Sequence, residues 1–201
     1  MVTRSLALAD TPELMVRDAA AWKVWLRKHH ARSAGVWLVL AKKGTTEPTK
    51  LTHAQALDEA LCHGWIDGQA RRRDELTLFV RFTPRRRRSV WSKRNTEIIE
   101  RLTGEGRMHQ AGVTEVERAK ADGRWKAAYA GPAGIKVPRE LTLALEAEPK
   151  AKTMFGTLNS QNRYAILYRI TTAVRPETRA QRIQRFVDML ARGETIYPQK
   201  S

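Results

Sequence analysis

Residues 76–82 read Leu76-Thr77-Leu78-Phe79-Val80-Arg81-Phe82, an alternation of side chains with a period of two. A strand over these residues would turn Leu76, Leu78, Val80 and Phe82 toward a core and Arg81 away from it. Pro84 follows closely and predicts the end of the strand. The arginines around this stretch are therefore expected on folded structure rather than on a tail.

Positive charge is concentrated around this strand. Between Arg71 and Arg94 the chain places ten basic side chains against only Asp74 and Glu75, which leaves +8, half of the formal net charge of +16. Arginines held on folded elements can converge on one anion through bidentate hydrogen bonds. The stretch therefore predicts an anion site.

The whole chain fits a globular protein. Its 201 residues, 42% of them hydrophobic, suffice for one domain or two small ones. No window approaches the ~20 consecutive apolar residues of a membrane span. The first residues also lack the apolar stretch of an export signal, so we expect a cytoplasmic location. The net charge of +16 favours anionic partners: a small molecule, a nucleic acid or an acidic protein.

Caps and apolar runs predict an α+β fold for the N-terminal part. Asp18 and Thr52 are typical helix caps, and Val36 to Leu40 is a continuous apolar run, as in a strand buried on both faces. Trp65 to Gln69, which follow a glycine and include another, indicate a turn. Thr114 starts a capping-box pattern and predicts a helix start.

The composition changes at Ala130-Gly131-Pro132-Ala133-Gly134, which is typical of a linker. Beyond it the pattern is all helical, with helix starts predicted at Pro138, Pro149, Ser160 and Pro176. The predicted class is α+β: a small sheet flanked by helices, followed by a smaller all-helical C-terminal domain. The predicted domains are residues 1–131, which carry the basic pocket, and residues 132–201.

Three motifs carry a resemblance to a known family: Gly64-Trp65-Ile66-Asp67-Gly68-Gln69, Arg81-Phe82-Thr83-Pro84-Arg85-Arg86 and Trp91-Ser92-Lys93-Arg94-Asn95. With Thr178-Arg179 and Arg182-Ile183 further on, the chain resembles the YdeI/OmpD-associated family, also called bacteriocin-protection proteins. The resemblance implies a role in resistance to antimicrobial peptides or bacteriocins and in envelope stress. It also suggests a periplasmic location, which the missing export signal argues against.

The anion site is predicted where the turn at Trp65 to Gln69 meets the strand around Arg81 and a helix start at Ser89 to Asn95. Free N–H groups at a helix N-terminus favour an anion, which Arg85 and Arg86 would clamp. Ser92 and Asn95 would hydrogen-bond the anion, Trp65 or Trp91 would stack on it, and Asp67 would orient Arg81. The predicted ligand-binding residues are Trp65, Asp67, Gln69, Arg81, Arg85, Arg86, Ser89, Trp91, Ser92 and Asn95.

Other interpretations of the same residues remain open. Trp65 could be buried and Asp67 could neutralise Arg81 or Arg85, while the arginines before Ser89 could form a solvated loop. The basic surface could bind nucleic acid. The helical C-terminal part could act as a protein–protein adaptor.

The sequence gives little support for an enzyme. Cys62 is the only cysteine, and a helix turns its side chain about 100° away from that of His63, so the two do not form a nucleophile and its base. The five histidines show no metal-ligand spacing. We therefore predict no metal and no cofactor, and no residue set meets the geometric demands of a named reaction.

Overall fold

A computed structural model describes residues 11–131 and 134–199. These residues form two compact units. The first consists of the residues up to Ser89 together with Asn95–Ala127, and the second of Val90–Arg94 together with the residues from Ala128 onward. The predicted boundary after residue 131 falls at residues 132 and 133, which lie outside the described residues, and it stays a prediction. The predicted class, a sheet flanked by helices and then a helical part, is confirmed.

The N-terminal part of the chain contains the strands β1 (Glu13–Leu14), β2 (Val36–Ala41), β3 (Trp65–Arg72) and β4 (Thr77–Pro84). They form a four-stranded sheet with the order β1-β2-β4-β3. β1 pairs with β2 in parallel, and the other pairs are antiparallel. Asp18 and Thr52 cap the first two helices, as predicted. The helices of this part are α1 (Ala19–His29), α2 (His53–Cys62), α3 (Lys93–Gly104) and α4 (Gln110–Ala121), and the chain order is β1-α1-β2-α2-β3-β4-α3-α4.

The main core of the first unit lies between one face of the sheet and the helices α1 and α2. Phe82 of β4 is fully buried there, with its ring centroid 5.8 Å from that of Trp22. Burying a large apolar side chain contributes about 1.5–3 kcal/mol, so this cluster is the main stabilising element of the unit. Its buried members are Trp22, Leu26, Val36, Leu38, Leu40, Leu51, Ala56, Ala60, Trp65, Val80 and Phe82.

The opposite face of the sheet carries a second, smaller cluster formed by Trp37, Val39 and Phe79. Directly paired residues of neighbouring strands share a face, and Arg81 pairs with Trp37, so Arg81 lies on this second face, as the alternation predicted. Leu76 departs from the prediction. It precedes β4, and 55% of its surface is exposed.

Two local predictions in this part of the chain are wrong. Residues Trp65 to Gln69 lie in strand β3 rather than in a turn, because the reversal is completed one residue earlier, at Gly64, whose φ is +73°. Thr114 lies inside α4, which begins at Gln110 and is capped by His109. The Thr114 hydroxyl donates to the Gln110 carbonyl instead of capping a helix.

The second unit contains α5 (Arg139–Glu146), α6 (Pro149–Thr157), α7 (Ser160–Thr171) and α8 (Pro176–Ala191). These helices begin at or within one residue of the predicted starts. Among the described residues no helix is long and apolar enough to cross a membrane. The core of the unit consists of Leu141, Leu145, Ala151, Phe155, Leu158, Ile166, Leu167, Ile170, Ile183, Phe186, Val187 and Leu190.

Candidate functional site

Strand β3 is at the edge of the sheet and contains a bulge. Asp67 pairs with Phe82 and Ala70 with Val80, so Gly68 and Gln69 together lie opposite Arg81. A bulge of this kind bends the strand and interrupts its ladder of hydrogen bonds. The sheet edge is therefore locally opened beside Arg81.

A cavity of about 320 Å³ lies at this bulge. On its far side the chain leaves β4 and forms a short turn, in which the Arg86 N–H donates to the Ser89 hydroxyl (3.0 Å) and the Ser89 N–H to the Arg86 carbonyl (2.9 Å). This turn holds Arg86 and Ser89 at the cavity wall. The lining residues are Ile66, Gly68, Gln69, Arg81, Thr83, Pro84, Arg86 and Ser89.

The cavity is positively charged. Arg81 and Arg86 line it, and none of its lining residues is acidic. The Arg81 Nε atom is buried and has no hydrogen-bond partner among the described residues. Because this nitrogen has almost no accessible surface, a ligand in the cavity would not reach it, and what the cavity offers an anion is the positive charge of Arg81 and Arg86.

The structure brings four of the ten predicted residues together at this cavity: Gln69, Arg81, Arg86 and Ser89. Asp67 points to the other face of the sheet. Its Oδ2 lies 2.9 Å from His53 Nε2, so the expected pairing of Asp67 with Arg81 is replaced by a pairing with His53.

The two predicted tryptophans are buried. Only 1% of Trp65 is exposed, and its Nε1 donates to the His30 carbonyl at 3.1 Å. This agrees with the alternative interpretation in which Trp65 is buried. Trp91 is 2% exposed, and its carbonyl accepts a hydrogen bond from the Tyr129 N–H. Neither ring lines the cavity, so stacking on a ligand is not a role that this arrangement offers them.

The remaining predicted residues also lie outside the cavity lining. Arg85 is 7% exposed, and its backbone N–H donates to the Gly64 carbonyl at 3.0 Å. Ser92 belongs to the second unit, and Asn95 lies in the first turn of α3. Conversely, sequence reasoning missed Ile66, Gly68, Thr83 and Pro84. Ile66 and Thr83 are paired across β3 and β4, a register that the sequence does not reveal.

The four consecutive arginines therefore take different environments. Arg85 is buried, Arg86 lines the cavity at the bulge, and Arg87 and Arg88 line a second cavity of about 680 Å³. This second cavity is lined by acidic as well as basic groups. Arg118 in its wall is paired with Glu115 at 2.8 Å, and Asp122 is in the wall as well. Its net charge is thus weaker than the arginine run suggests.

The arginines before β4 are neutralised locally. Arg71 pairs with Glu13, and its guanidinium lies 4.5 Å from the ring centroid of Trp37 and 4.5 Å from that of Phe79. Cations over aromatic faces are attracted by the ring quadrupole. Arg72 and Arg73 pair with Glu75 and Asp74. Three of the ten basic side chains between Arg71 and Arg94 are therefore occupied by structural contacts.

Cys62 is placed as a core residue. Its side chain is buried, and burial raises the pKa of its thiol to about 11, which leaves almost no thiolate at neutral pH. Among the described residues no group of three or more histidine, cysteine, aspartate or glutamate side chains is arranged to hold a metal ion.

Three histidines that the sequence did not connect lie together. The ring centroid of His63 is 5.0 Å from that of His109 and 5.6 Å from that of His30. His63 is buried, its Nδ1 lies 2.9 Å from the Glu59 carbonyl, and its Nε2 has no partner among the described residues. Burial, opposed by that hydrogen bond, lowers the pKa of His63, and burial with the charges of His30 and Arg27 lowers the pKa of His109.

This cluster predicts a loss of stability in mild acid. Because the folded-state pKa of His63 is below the ordinary value near 6.5, the unfolded state binds protons first, and stability falls as the pH drops below about 6.5. Glu59 is an acidic group that acts on His63, and it is already paired with Arg107 at 2.7 Å. We expect His63→Phe to reduce the difference in melting temperature between pH 7.5 and pH 5.

Differential scanning fluorimetry across this pH range measures the effect, since about 1 kcal/mol corresponds to about 2–4 °C in a chain of this size. His29→Phe is the control, because it makes the same replacement at an exposed histidine of α1 outside the cluster. An unaltered slope in His63→Phe would contradict the assignment of this pH dependence to the cluster.

The sheet, the bulge cavity and the helical unit define an α+β protein with an arginine-lined cavity, followed in the chain by a helical part. Residues 14–115 match the family model of a domain of unknown function, DUF8412, and the chain belongs to that family. Residues 135–193 match the model of the bacteriocin-protection, YdeI or OmpD-associated family, so the C-terminal part confirms the family that the motifs indicated.

The match divides the motifs between two families. Thr178 to Ile183 lie in the bacteriocin-protection stretch, whereas the motifs between Gly64 and Asn95 lie within the DUF8412 stretch. No curated protein and no solved structure matches the chain significantly.

Proposed function

We propose that the first unit binds a small phosphate- or carboxylate-bearing ligand in the cavity at the β3 bulge. The observation that carries the proposal is that two arginines, Arg81 and Arg86, line this cavity and that none of its lining residues is acidic. An anion in the cavity can form charge-assisted hydrogen bonds with these guanidiniums, which are about twice as strong as hydrogen bonds between neutral groups.

The other lining groups suit the same guest. Arg86 is exposed at the mouth and can form charge-assisted hydrogen bonds with the anion. Ser89 and Gln69 add a hydroxyl and an amide, which fix orientation rather than supply charge. A cavity of about 320 Å³ is at the lower end of the usual range for small-molecule sites, so we expect a compact ligand.

Isothermal titration with inorganic phosphate, citrate and AMP tests this proposal. Each lost charge-assisted hydrogen bond is worth about 1.5–3 kcal/mol, so Arg81→Gln and Arg86→Gln should each weaken binding of the tightest probe about tenfold or more. Gln keeps much of the side-chain volume and removes the charge. Arg86→Gln is the more direct test because Arg86 is exposed and its loss should leave the fold intact.

Arg72→Gln is the matched control. Arg72 is also exposed, lies on the same hairpin and is paired with Glu75, so it loses the same charge without touching the cavity. We expect its affinity to stay within about twofold of wild type. Equal effects of Arg72→Gln and Arg86→Gln would show that general charge, rather than the cavity, determines binding.

Nucleic-acid binding is the second candidate, and the exposed side chains of Arg86, Arg87 and Arg88 favour it. Two observations weaken it. The tryptophans that could have stacked on bases are buried, and many other arginines are already paired with carboxylates. The paired arginines include Arg71, Arg72, Arg73, Arg101, Arg107, Arg118, Arg124 and Arg192.

Titration of duplex DNA at several salt concentrations separates the two candidates. For binding to duplex DNA, log K falls by about 0.9 per phosphate neutralised for each unit of log salt.

The family description of residues 135–193 supports a broader proposal, a role in protection against bacteriocins or in envelope stress. The anion cavity belongs to the other stretch of the chain, so ligand binding and the protective role are separable. The cytoplasmic location and an adaptor role of the helical part stay predictions.

A further inference from the structure

The second unit contains a separate cavity of about 500 Å³ beside helix α7. Tyr164 and Tyr168 are four residues apart on α7 and therefore lie on one face of the helix. Both rings line the cavity, and Tyr197, which follows α8, contributes a third tyrosine. The cavity is thus walled by aromatic rings from two segments that are far apart in sequence.

The third tyrosine is held in place by a buried amide. Asn162 is fully buried on α7, and its Nδ2 donates to the Tyr197 carbonyl at 3.0 Å. The Tyr197 N–H donates back to the Asn162 Oδ1 at 2.9 Å. A reciprocal pair of hydrogen bonds from a buried side chain fixes the backbone of the segment that carries Tyr197. The protein's own hydrogen bonds therefore hold this wall of the cavity in place.

The rings are arranged as in aromatic binding sites. The ring centroids of Tyr164 and Tyr168 are 5.8 Å apart, and Tyr129 contacts Tyr168 edge-on at 4.8 Å. Burial raises the pKa of Tyr164, so its phenol is neutral and can donate a hydrogen bond at physiological pH. Offset and edge-to-face packing of a further planar ring against such tyrosines is favourable beyond the area buried.

The charge of the lining residues favours a negatively charged ligand over a positively charged one. Arg169 is the one charged residue among those that line the cavity, and none of them is a carboxylate. Its Nη1 donates to the Ala165 carbonyl at 3.0 Å, which uses one of its five N–H groups. Tyrosine faces alone would also attract cations, but a guanidinium in the same wall opposes them.

We propose that this tyrosine cavity, lined by Tyr164, Tyr168, Tyr197 and Arg169, binds a small planar aromatic compound that carries an acidic group. The aromatic ring packs among the tyrosines, and the acidic group pairs with Arg169. Ser160 and Gln161, at the start of α7, supply additional polar groups at the rim. The site is independent of the anion cavity at the β3 bulge and does not rest on the function proposed for it.

Isothermal titration of the full chain with 2-naphthoate tests the proposal. For a ligand of this size we expect a Kd on the order of 0.1–1 mM. Cyclohexanecarboxylate, which has the charge without the aromatic ring, and 2-naphthylmethanol, which has the ring without the charge, should both bind about tenfold more weakly or worse. Equal affinity for either comparator would overturn the corresponding half of the proposal.

Two variants locate the site. Arg169→Gln and Tyr197→Leu should each weaken 2-naphthoate binding about tenfold, and Tyr197 is 38% exposed, so its replacement should leave the fold intact. Arg192→Gln, which removes an exposed arginine paired with Glu194, and Arg86→Gln at the other cavity are controls that should leave binding unchanged. No binding to the wild type up to about 10 mM, or unchanged affinity in both variants, would overturn the proposal.

Discussion

Gly112→Ala is expected to destabilise the first unit by about 3 kcal/mol or more. A Cβ atom at this position would lie 2.3 Å from the Cys62 carbonyl oxygen and 2.8 Å from the Cys62 carbonyl carbon. Both are backbone atoms at the end of α2, so no side-chain rotation relieves the clash. The Cys62 carbonyl also accepts a hydrogen bond from the His109 N–H at 3.0 Å, and moving α4 away would lengthen that bond.

Urea denaturation followed by tryptophan fluorescence measures this effect. Gly104→Ala is the matched control: it is also a helical glycine of the first unit, at the end of α3, and a Cβ there would meet nothing within 4 Å. Because alanine is the better helix former, Gly104→Ala should gain about 0.5–1 kcal/mol at most. If Gly112→Ala left the denaturation midpoint unchanged, the close contact between α2 and α4 would be refuted.

The second large effect is expected for Phe82→Ala, at about 3–5 kcal/mol. Phe82 is fully buried between the sheet and α1, and its ring contacts that of Trp22 edge-on. Truncation leaves a cavity in the centre of the main core, which the rigid sheet cannot refill. Because β4 also carries Arg81 and Thr83, we expect a weaker affinity for the probe anion wherever the variant still folds.

Leu76→Ala is the control for Phe82→Ala. Both residues belong to the same alternating set in the sequence, yet Leu76 is exposed and precedes β4. Its replacement should change the free energy of unfolding by no more than about 0.5 kcal/mol. Thermal and urea denaturation of the two variants give the comparison, and similar losses in both would contradict the burial described for Leu76.

The elements with a strong local signal could be predicted from the sequence. Val36 to Leu40 is one continuous apolar run, and it forms a strand buried along its whole length. Thr52 forms a capping box with Gln55, which is a signal contained within four residues. Such features depend on propensity and near neighbours, so a single sequence carries them.

Strand β3 was missed for an identifiable reason. Gly64 and Gly68 lie four residues apart and together indicate a turn, but they have different roles in the structure. Gly64 has a positive φ and ends the turn after α2, whereas Gly68 lies in a bulge opposite Arg81. A bulge is defined by the pairing of two strands, so the sequence of one strand does not reveal it.

The candidate site was only partly predicted, because it also depends on contacts that a local sequence pattern does not reveal. The arginine run pointed to the right region, and Arg81 and Arg86 do line one cavity. Arg85 lies next to Arg86 in sequence, yet Arg85 is buried and Arg86 is exposed. Composition records that charges are concentrated, but it does not record which of them share a cavity.

The sequence by itself determined the α+β class, the order of most of its elements and the region of concentrated charge. These depend on periodicity, caps and composition, which are local properties of the chain. Only the tertiary structure decided that Arg81 and Arg86 line one cavity, that Trp65 and Trp91 are buried, and that distant tyrosines meet beside α7. Those arrangements depend on strand register and on contacts between residues far apart in sequence, which no local pattern encodes.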